Sequence, residues 1–479
     1  MSPLPLVLAP LGFAAVALAM PSNRWRPVVL PIGALCHLAL VIAVLAHGDS
    51  TAASGWLSLD PLARLVLLTV ALLFTCCALY APGYLAVRHD RPNRRFCSGL
   101  LLQVAMLSLV AMSHHLGLLW VGLEATTLAS APLLYFNQTP RALEAAWKFL
   151  LIGSVGIALA LLGSFFLAYS ELATQQPSSL QFDDLMAAAP QLSKPWLHAA
   201  FVTLLVGYGT KMGLAPMHTW KPDAYGEAPG ILGAMLAGGL TTGAFLAILR
   251  MLALMHAAGE GSFARPILVF MGLLSMVFAA VFMVRQKDIK RMLAYSSVEH
   301  MGILALGAGI GGLAMFGALF HMLNNAMTKA VLFLSVGNIH RAFGSKSTDD
   351  VTGALGRVPV SAALFLAGFL AITGSPPFGP FVSEFTIARA AFADGQPVAG
   401  GLYLALLMAV FLGMGSTVLA VVQGESPSPS STNSGHVDRP SLTLPIVFAL
   451  LVVLGLGIWL PGPLRDLLDR ASAYVEARP

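Results

Sequence analysis

Stretches of about twenty apolar residues, broken by short polar segments, follow one another along almost the whole chain. A helix of that length is enough to cross the hydrocarbon core of a bilayer, about 30 Å thick. We place fourteen such spans, near 3–20, 26–46, 61–85, 98–113, 115–136, 143–169, 197–217, 229–254, 266–284, 292–310, 313–338, 359–388, 399–422 and 441–460. Only Ser113, His114 and His115 separate the fourth from the fifth. Two spans carry helix breakers near their middles: G-L-A-P-M-H-T-W at 213–220 and T-G-S-P-P-F-G-P-F at 373–381. Proline removes a backbone donor and clashes with the preceding turn, so each sequence predicts an interrupted helix. Broken backbone at membrane depth survives only when buried in protein or lining a wet cavity. Interrupted helices at corresponding places in two halves of a chain mark inverted-repeat transporters. The expected fold is therefore an all-α polytopic membrane protein with two inverted five-helix repeats. Residues 1–97 form three leading transmembrane helices, 98–254 the first repeat and 255–424 the second. Residues 425–479 hold a loop, the last span and a tail.

Composition agrees: 57% of the 479 residues are hydrophobic and 10% charged, against about 25% charged in a soluble domain. The net charge of +5 is small, and its placement says more. Arg24 and Arg26, then Arg88, Arg91, Arg94 and Arg95, then Arg285, Lys287, Lys290 and Arg291, then Arg341, Lys346 and Arg357 fall in alternate loops. Basic loops stay cytoplasmic, which predicts both termini outside. The apolar run from Pro3 to Met20 has no basic residue before it and so does not read as a signal peptide. Basic residues confined to short loops argue against nucleic-acid binding. The Ser/Pro-rich stretch Glu425–Pro440 reads as a flexible cytoplasmic loop. The tail from Pro461 reads as an amphipathic helix at the outer surface, with Leu464, Leu467, Leu468 and Ala471 on one side. Cys36, Cys76, Cys77 and Cys97 have no metal-binding spacing. The glycine-rich run at 307–312 follows an apolar helix rather than a strand, so we read it as a helix–helix connection. No cofactor or metal is expected.

The candidate chemistry lies in ionisable residues inside the apolar spans: Glu124, Lys211, Lys329 and Glu384. A lysine at the centre of a membrane helix costs about 2.5–3.5 kcal/mol on insertion scales. Such a residue faces a partner or a water-filled cavity. Lys211 and His218 are seven apart, on one face if that helix runs on to Pro216. His321 and Lys329 are eight apart. Glu299 and His300 open another span. Lys148 either joins the set or reaches back to the interface. Desolvation disfavours the charged form of a lysine, and a neighbouring carboxylate restores it. A pair such as Glu124 and Lys211 would thus act as a proton switch whose titration belongs to both groups. Histidines could relay the proton near neutral pH. A buried structural ion pair is the bland alternative for any one of these residues.

Six motifs carry a family resemblance: L-G-L-L-W-V-G-L-E-A-T-T-L (116–128), E-A-A-W-K-F (144–149), T-K-M-G-L-A-P-M-H-T-W-K-P-D-A-Y-G-E-A-P (210–229), K-D-I-K-R-M-L-A-Y-S-S-V-E-H-M-G (287–302), H-M-L-N-N-A-M-T-K-A-V-L-F-L (321–334) and G-S-P-P-F-G-P-F-V-S-E-F (374–385). From about Leu101 to Phe385 the chain resembles the antiporter-like membrane subunits of respiratory complex I, Mrp-type cation/proton antiporters and group 4 membrane-bound hydrogenases, the hydrogenase-4 component F branch above all. The resemblance implies an input ion pair of Glu124 and Lys211, with Lys148 near it. It also implies an axial lysine at Lys329 and a terminal carboxylate at Glu384. Two departures stand out. Where many members carry His or Lys in the eighth helix, this chain offers only Thr241 and Thr242. Where many have His four residues before the axial lysine, it has Asn325, and His321 is a candidate substitute.

These expectations describe a proton-translocating subunit of a redox-driven complex in a bacterial inner membrane. The proton path is Glu124, Lys148, Lys211, His218, His321, Lys329 and Glu384. The candidate relay residues are Thr241, Thr242, Glu299, His300 and Asn325. The chain would have no active site of its own. Its partners would be membrane and redox subunits, lipid and protons. A cation/proton antiporter module without redox partners and a non-conducting scaffold are the alternatives.

Overall fold

The computed structural model describes residues 3–47, 55–88, 91–175, 179–424 and 437–476. They form a helical bundle: α1 (Pro5–Ala19), α2 (Val29–Ala46), α3 (Pro61–Val87), α4 (Arg94–Met112), α5 (Leu116–Leu134), α6 (Pro140–Leu172), α7 (Phe182–Ala188), α8 (Lys194–Met212), α9 (Trp220–Glu227), α10 (Gly230–Met235) and α11 (Thr241–Ala257). The chain continues as α12 (Gly261–Met283), α13 (Ile289–Ile310), α14 (Leu313–Phe343), α15 (Ala354–Arg357), α16 (Pro359–Ile372), α17 (Gly379–Ala393), α18 (Pro397–Val422), α19 (Pro440–Ile458) and α20 (Gly462–Val475). Among the described residues there are no strands, only three isolated bridges. Among the described residues, nine helices are long and apolar enough to cross a membrane by length and composition. α8, α13 and α14 are also long, but they carry the polar residues considered below. Leu151, Val155, Phe165, Phe270, Val281, Met408 and Leu444 are all more than half exposed. An apolar surface of that extent is suited to lipid rather than water.

The helices are set by local signals that hydropathy does not count. Thr139 caps α6 through Ala142 N–H, and Pro140 stands at its first position, where proline is pre-shaped for a helix. α6 therefore runs for 33 residues, beyond the expected 143–169. α14 ends where Gly344 takes φ +71°, a left-handed stop that glycine adopts without strain. Gly311 and Gly312, at φ +79° and +55°, join α13 to α14, so the glycine-rich run is a connection between helices. The Glu425–Pro440 loop falls largely in 425–436, outside the described residues.

Small residues hold the helix pairs close. On α6 and α8, a Cβ at Gly207 would meet Ala160 N at 2.6 Å and Gly156 O at 2.7 Å. On α12 and α13, Gly272 and Gly302 each lie against the other's carbonyl in the same way. α14 runs through the middle, packed against α3, α13, α16, α17 and α19. The tail does form a helix, α20. It buries Leu467, Leu468, Ala471 and Val475 against α3, α11 and α14, so its apolar side is spent on protein.

Two predicted spans are broken, as the prolines require, and the breaks are built alike. α8 stops at Met212 and Gly213 follows at φ +77°. α16 stops at Ile372, and Gly374 takes φ +68°. α8 does not continue to Pro216, so Lys211 and His218 do not share a helical face. Between α10 and α11 the residues Leu236–Leu240 form a wide π turn, a local form frequent at functional sites.

One buried ion pair ties the leading helices to the rest. Arg250 on α11 meets Asp60 at 2.9 Å, with side chains 0% and 6% exposed, and also donates to the Ala111 and Ser113 carbonyls. Asp60 caps α3 through Ala63 N–H. Breaking a buried pair from one side leaves an uncompensated charge. Asp60→Asn is therefore expected to lower stability by about 3–5 kcal/mol, read as a fall in the unfolding midpoint of the detergent-solubilised protein. Asp60→Asn combined with Arg250→Met should recover part of that loss.

Candidate functional site

Glu124 sits on α5, one side of the α6–α8 contact. Its Oε2 lies 2.7 Å from Lys211 Nζ. Lys211 is in the last turn of α8 and 1% exposed, and Glu124 is 17% exposed. Lys211 also donates to Thr127 Oγ1, and Ser154 donates to Glu124 Oε1 at 3.2 Å. The close glycine packing makes this possible: a Cβ on Gly153 would lie 3.1 Å from Lys211 Nζ. The ammonium thus has a carboxylate and a hydroxyl, and the carboxylate keeps one edge towards the outside of the chain.

Past the first break, α9 brings Lys221 inward. Trp220 Nε1 donates to the Thr210 carbonyl at 2.8 Å, folding α9 back onto the end of α8. Lys221 is wholly buried and donates to Ser297 Oγ on α13 at 3.1 Å. The neighbouring Ser296 accepts from Lys329 Nζ at 2.8 Å. Two adjacent serines therefore hold one lysine from each half of the chain. Lys329 is fully buried on α14 and feels Glu299, one turn along α13, electrostatically.

From there the polar groups continue to the second break. Glu299 Oε2 lies 3.7 Å from His300 Nε2. His300 Nδ1 and His321 Nε2 are 2.9 Å apart, and His321 Nδ1 is 2.9 Å from Ser383 Oγ. All of these side chains are buried. Glu384 follows Ser383 on α17 and is 5% exposed. Its carboxylate occupies the space a Cβ on Gly374 would need. One ligand atom each of His300, His321 and Glu384 lies within 4.8 Å of the others. Among the described residues these three are spaced to hold a cation, although both ring nitrogens of His321 are already engaged. Among the described residues, Glu384 Oε1, His300 Nε2, His218 Nδ1 and Asn325 Oδ1 are buried without a hydrogen-bond partner. Groups of this kind are ordinarily met by water.

Not every expected residue joins this line. Lys148 is 44% exposed and pairs with Glu144 at 2.7 Å and Asp223 at 2.8 Å, at the rim of the bundle rather than with Glu124 or Lys211. His218 lies in the first break, with its ring against Phe278 and Tyr295. Thr241 and Thr242 donate to the carbonyls of Ala237 and Gly238, four residues back, so their hydroxyls serve their own wide turn. Asn324 bonds to the Phe320 carbonyl, and Asn325 is 1% exposed. The sequence reading missed Lys221, Thr127, Ser296, Ser297 and Ser383. Only Lys221 left a trace there, as a cation in W-K-P-D-A-Y between two apolar runs.

Residues 113–413 match the family model described as NADH:quinone oxidoreductase/Mrp antiporter, TM. The chain belongs to this family of antiporter-like membrane subunits. It is 36% identical to a hydrogenase-4 component F homolog of Methylacidiphilum infernorum over 420 residues, covering 86% of this chain and 87% of the relative. It is 30% identical to NADH-quinone oxidoreductase subunit N of Desulforudis audaxviator, covering 96% of this chain and 94% of that one. Its fold matches a chain of the membrane-bound sulfane sulfur reductase, an archaeal respiratory membrane complex, with a TM-score of 0.88, 22% identity and coverage of 99% and 97%. It also matches a chain of respiratory complex I from Thermus thermophilus with a TM-score of 0.85, 23% identity and coverage of 99% of each.

Gly374 is required twice, for its positive φ and for the room it leaves the Glu384 carboxylate. Gly374→Ala is expected to cost about 1–2 kcal/mol from the left-handed backbone alone, read by thermal unfolding in detergent. Gly401→Ala, which meets nothing within 4 Å near the start of the helical α18, should leave the midpoint unchanged or slightly raised.

Proposed function

We propose that this chain is a proton-translocating subunit of a redox-driven membrane complex, and that protons cross it along the buried line from Glu124 to Glu384. The observation that carries the reading is the Lys211–Glu124 pair, 2.7 Å apart with the lysine 1% exposed. A buried ammonium beside a carboxylate that can move away is a proton switch: contact holds the proton, separation releases it. Lys329 and Glu299, the His300–His321 pair and Glu384 then supply successive groups that can take the proton up. A full charge moved through the membrane potential requires about 2.3 kcal/mol per 100 mV, which a small conformational change in a partner could supply.

The two breaks support an inverted-repeat arrangement of 98–254 and 255–424. Each has a helix ending before a glycine of positive φ, and in each a charged side chain from the second half-helix fills the space beside that glycine. α1, α8, α13 and α14 join the nine apolar helices and the broken α16–α17 as spans in this reading, which gives the fourteen read from the sequence. The alternation of basic loops supports an orientation with both termini outside, in a bacterial or archaeal plasma membrane. The names of the relatives, a hydrogenase-4 component and a quinone oxidoreductase subunit, favour redox partners over an isolated antiporter module.

The test uses the complex isolated through an affinity tag on this chain and reconstituted in liposomes. A potassium diffusion potential drives proton uptake, followed with an internal pH dye. Glu124→Ala and Lys211→Ala should each abolish uptake while the subunit pattern stays unchanged. Wild-type uptake in both would remove the reading. The same preparation identifies the co-purifying subunits: redox proteins support the complex, and small antiporter subunits alone support the other module.

A further inference from the structure

The stretch around Thr241 and Thr242, where a titratable group was sought, offers no proton carrier. Both hydroxyls are committed to the carbonyls of their own turn, and a threonine hydroxyl does not titrate near neutral pH. The geometry points to Lys221 as the proton-carrying residue that joins the Glu124–Lys211 pair to Lys329. This inference rests on the translocation reading above and names the middle group of that same path.

Four observations carry it. Lys221 is wholly buried, yet among the described residues no carboxylate lies within ion-pair distance of its nitrogen. Its one hydrogen bond is to Ser297 Oγ, at 3.1 Å. A structural cation buried so deeply would be expected to have an anion, whereas a carrier has to be able to give its proton up. Second, its place is intermediate. A Cβ on Gly213, two residues beyond Lys211, would fall 2.8 Å from Lys221 Nζ. On the other side Lys221 shares the Ser296–Ser297 step with Lys329.

Third, the fold makes room for it. The glycine at the end of α8 leaves the space its side chain occupies, and the Trp220–Thr210 bond turns α9 so that Lys221 enters it. Fourth, its surroundings are polar and, among the described residues, hold no carboxylate within ion-pair distance. Tyr225 lies on its own helix with the ring centre 5.9 Å from the ammonium. His218 lies in the break, Ser297 and His300 on α13, and Lys329 on α14. Two lysines that feel each other this way disfavour being charged together, so a proton arriving at one drives it from the other. In that step one N–H bond breaks at Lys221 and one forms at Lys329, with the serine hydroxyls accepting and donating in turn. No other reactant is needed.

The experiment uses the reconstituted complex with the same dye assay. Lys221→Met keeps the length and removes the proton site. Its uptake should fall by about a hundredfold, within the usual worth of a positioned proton-transfer group, with the subunit pattern and thermal midpoint unchanged. Lys221→Arg, a cation that does not give up its proton, should be equally slow. Lys221→His should conduct, with the pH profile of uptake moved down by about one unit or more, because imidazole is a weaker base than an amine. A merely structural lysine would leave that profile in place. Wild-type uptake in Lys221→Met alongside a dead Lys211→Ala overturns this inference and leaves the path standing. Wild-type uptake in both overturns the path itself. If Lys221→Met fails to assemble, Lys221→His decides: an unshifted profile overturns the inference, and a shifted one supports it.

Discussion

An ammonium group taken out of water must be answered by an anion, by hydroxyls, or by the loss of its proton, and the interior of this protein is arranged around that requirement. Lys211, Lys221 and Lys329 are all buried. Each receives a different answer: a carboxylate and a hydroxyl for Lys211, a single serine for Lys221, and a serine with Glu299 in electrostatic reach for Lys329. The gradation matters more than any one contact. Three equally well-paired lysines would be fixed charges, and a proton would have no reason to move among them. Unequal pairing makes the chain of groups responsive to small displacements of the helices that carry them.

The glycines serve the same end. Tight contacts of α6 with α8 and of α12 with α13 leave no gap between these helices beside the polar line. In a bilayer, association depends on close packing and satisfied polar groups rather than on expelling water. The same small residues that bring Lys211 within reach of Glu124 also bury the lysine, while Glu124 keeps one edge towards the outside. Assembly and chemistry therefore share their residues.

Much of this was legible in the sequence, for a physical reason. A charge within a long apolar run is costly, so Glu124, Lys211, Lys329 and Glu384 announced themselves by their context, and proline placed both breaks. What hydropathy could not register was Lys221. It lies in W-K-P-D-A-Y-G-E, directly before a proline and two residues before an acid, where the local pattern is that of a loop. Only the fold shows that this segment turns inward. Likewise, nothing in the spacing of Lys148 reveals that Asp223, 75 residues on, holds it at the rim. Nor does the sequence show that Thr241 and Thr242 are spent on a widened turn. Helix ends shifted for a similar reason: Thr139 and Pro140 start α6 earlier than its apolar run begins.

The rim contacts of α9 have a mechanical meaning. Asp223 is tied to Lys148 on α6 and to Arg291 on α13, and Glu227 to Lys346 beyond α14. Although α9 follows α8 in the chain, three ion pairs leash it to its neighbours, two of them in the second half, while the Trp220–Thr210 hydrogen bond and the turn that begins at the left-handed Gly213 join it to α8. α9 is therefore a bridge: the Trp220–Thr210 bond would pass a displacement of α8 on to it, and its ion pairs and the Lys221–Ser297 bond would resist that displacement from the far side. The load of such a displacement would fall between two lysines ten residues apart in the sequence, Lys211 and Lys221, rather than at the midpoint between the halves.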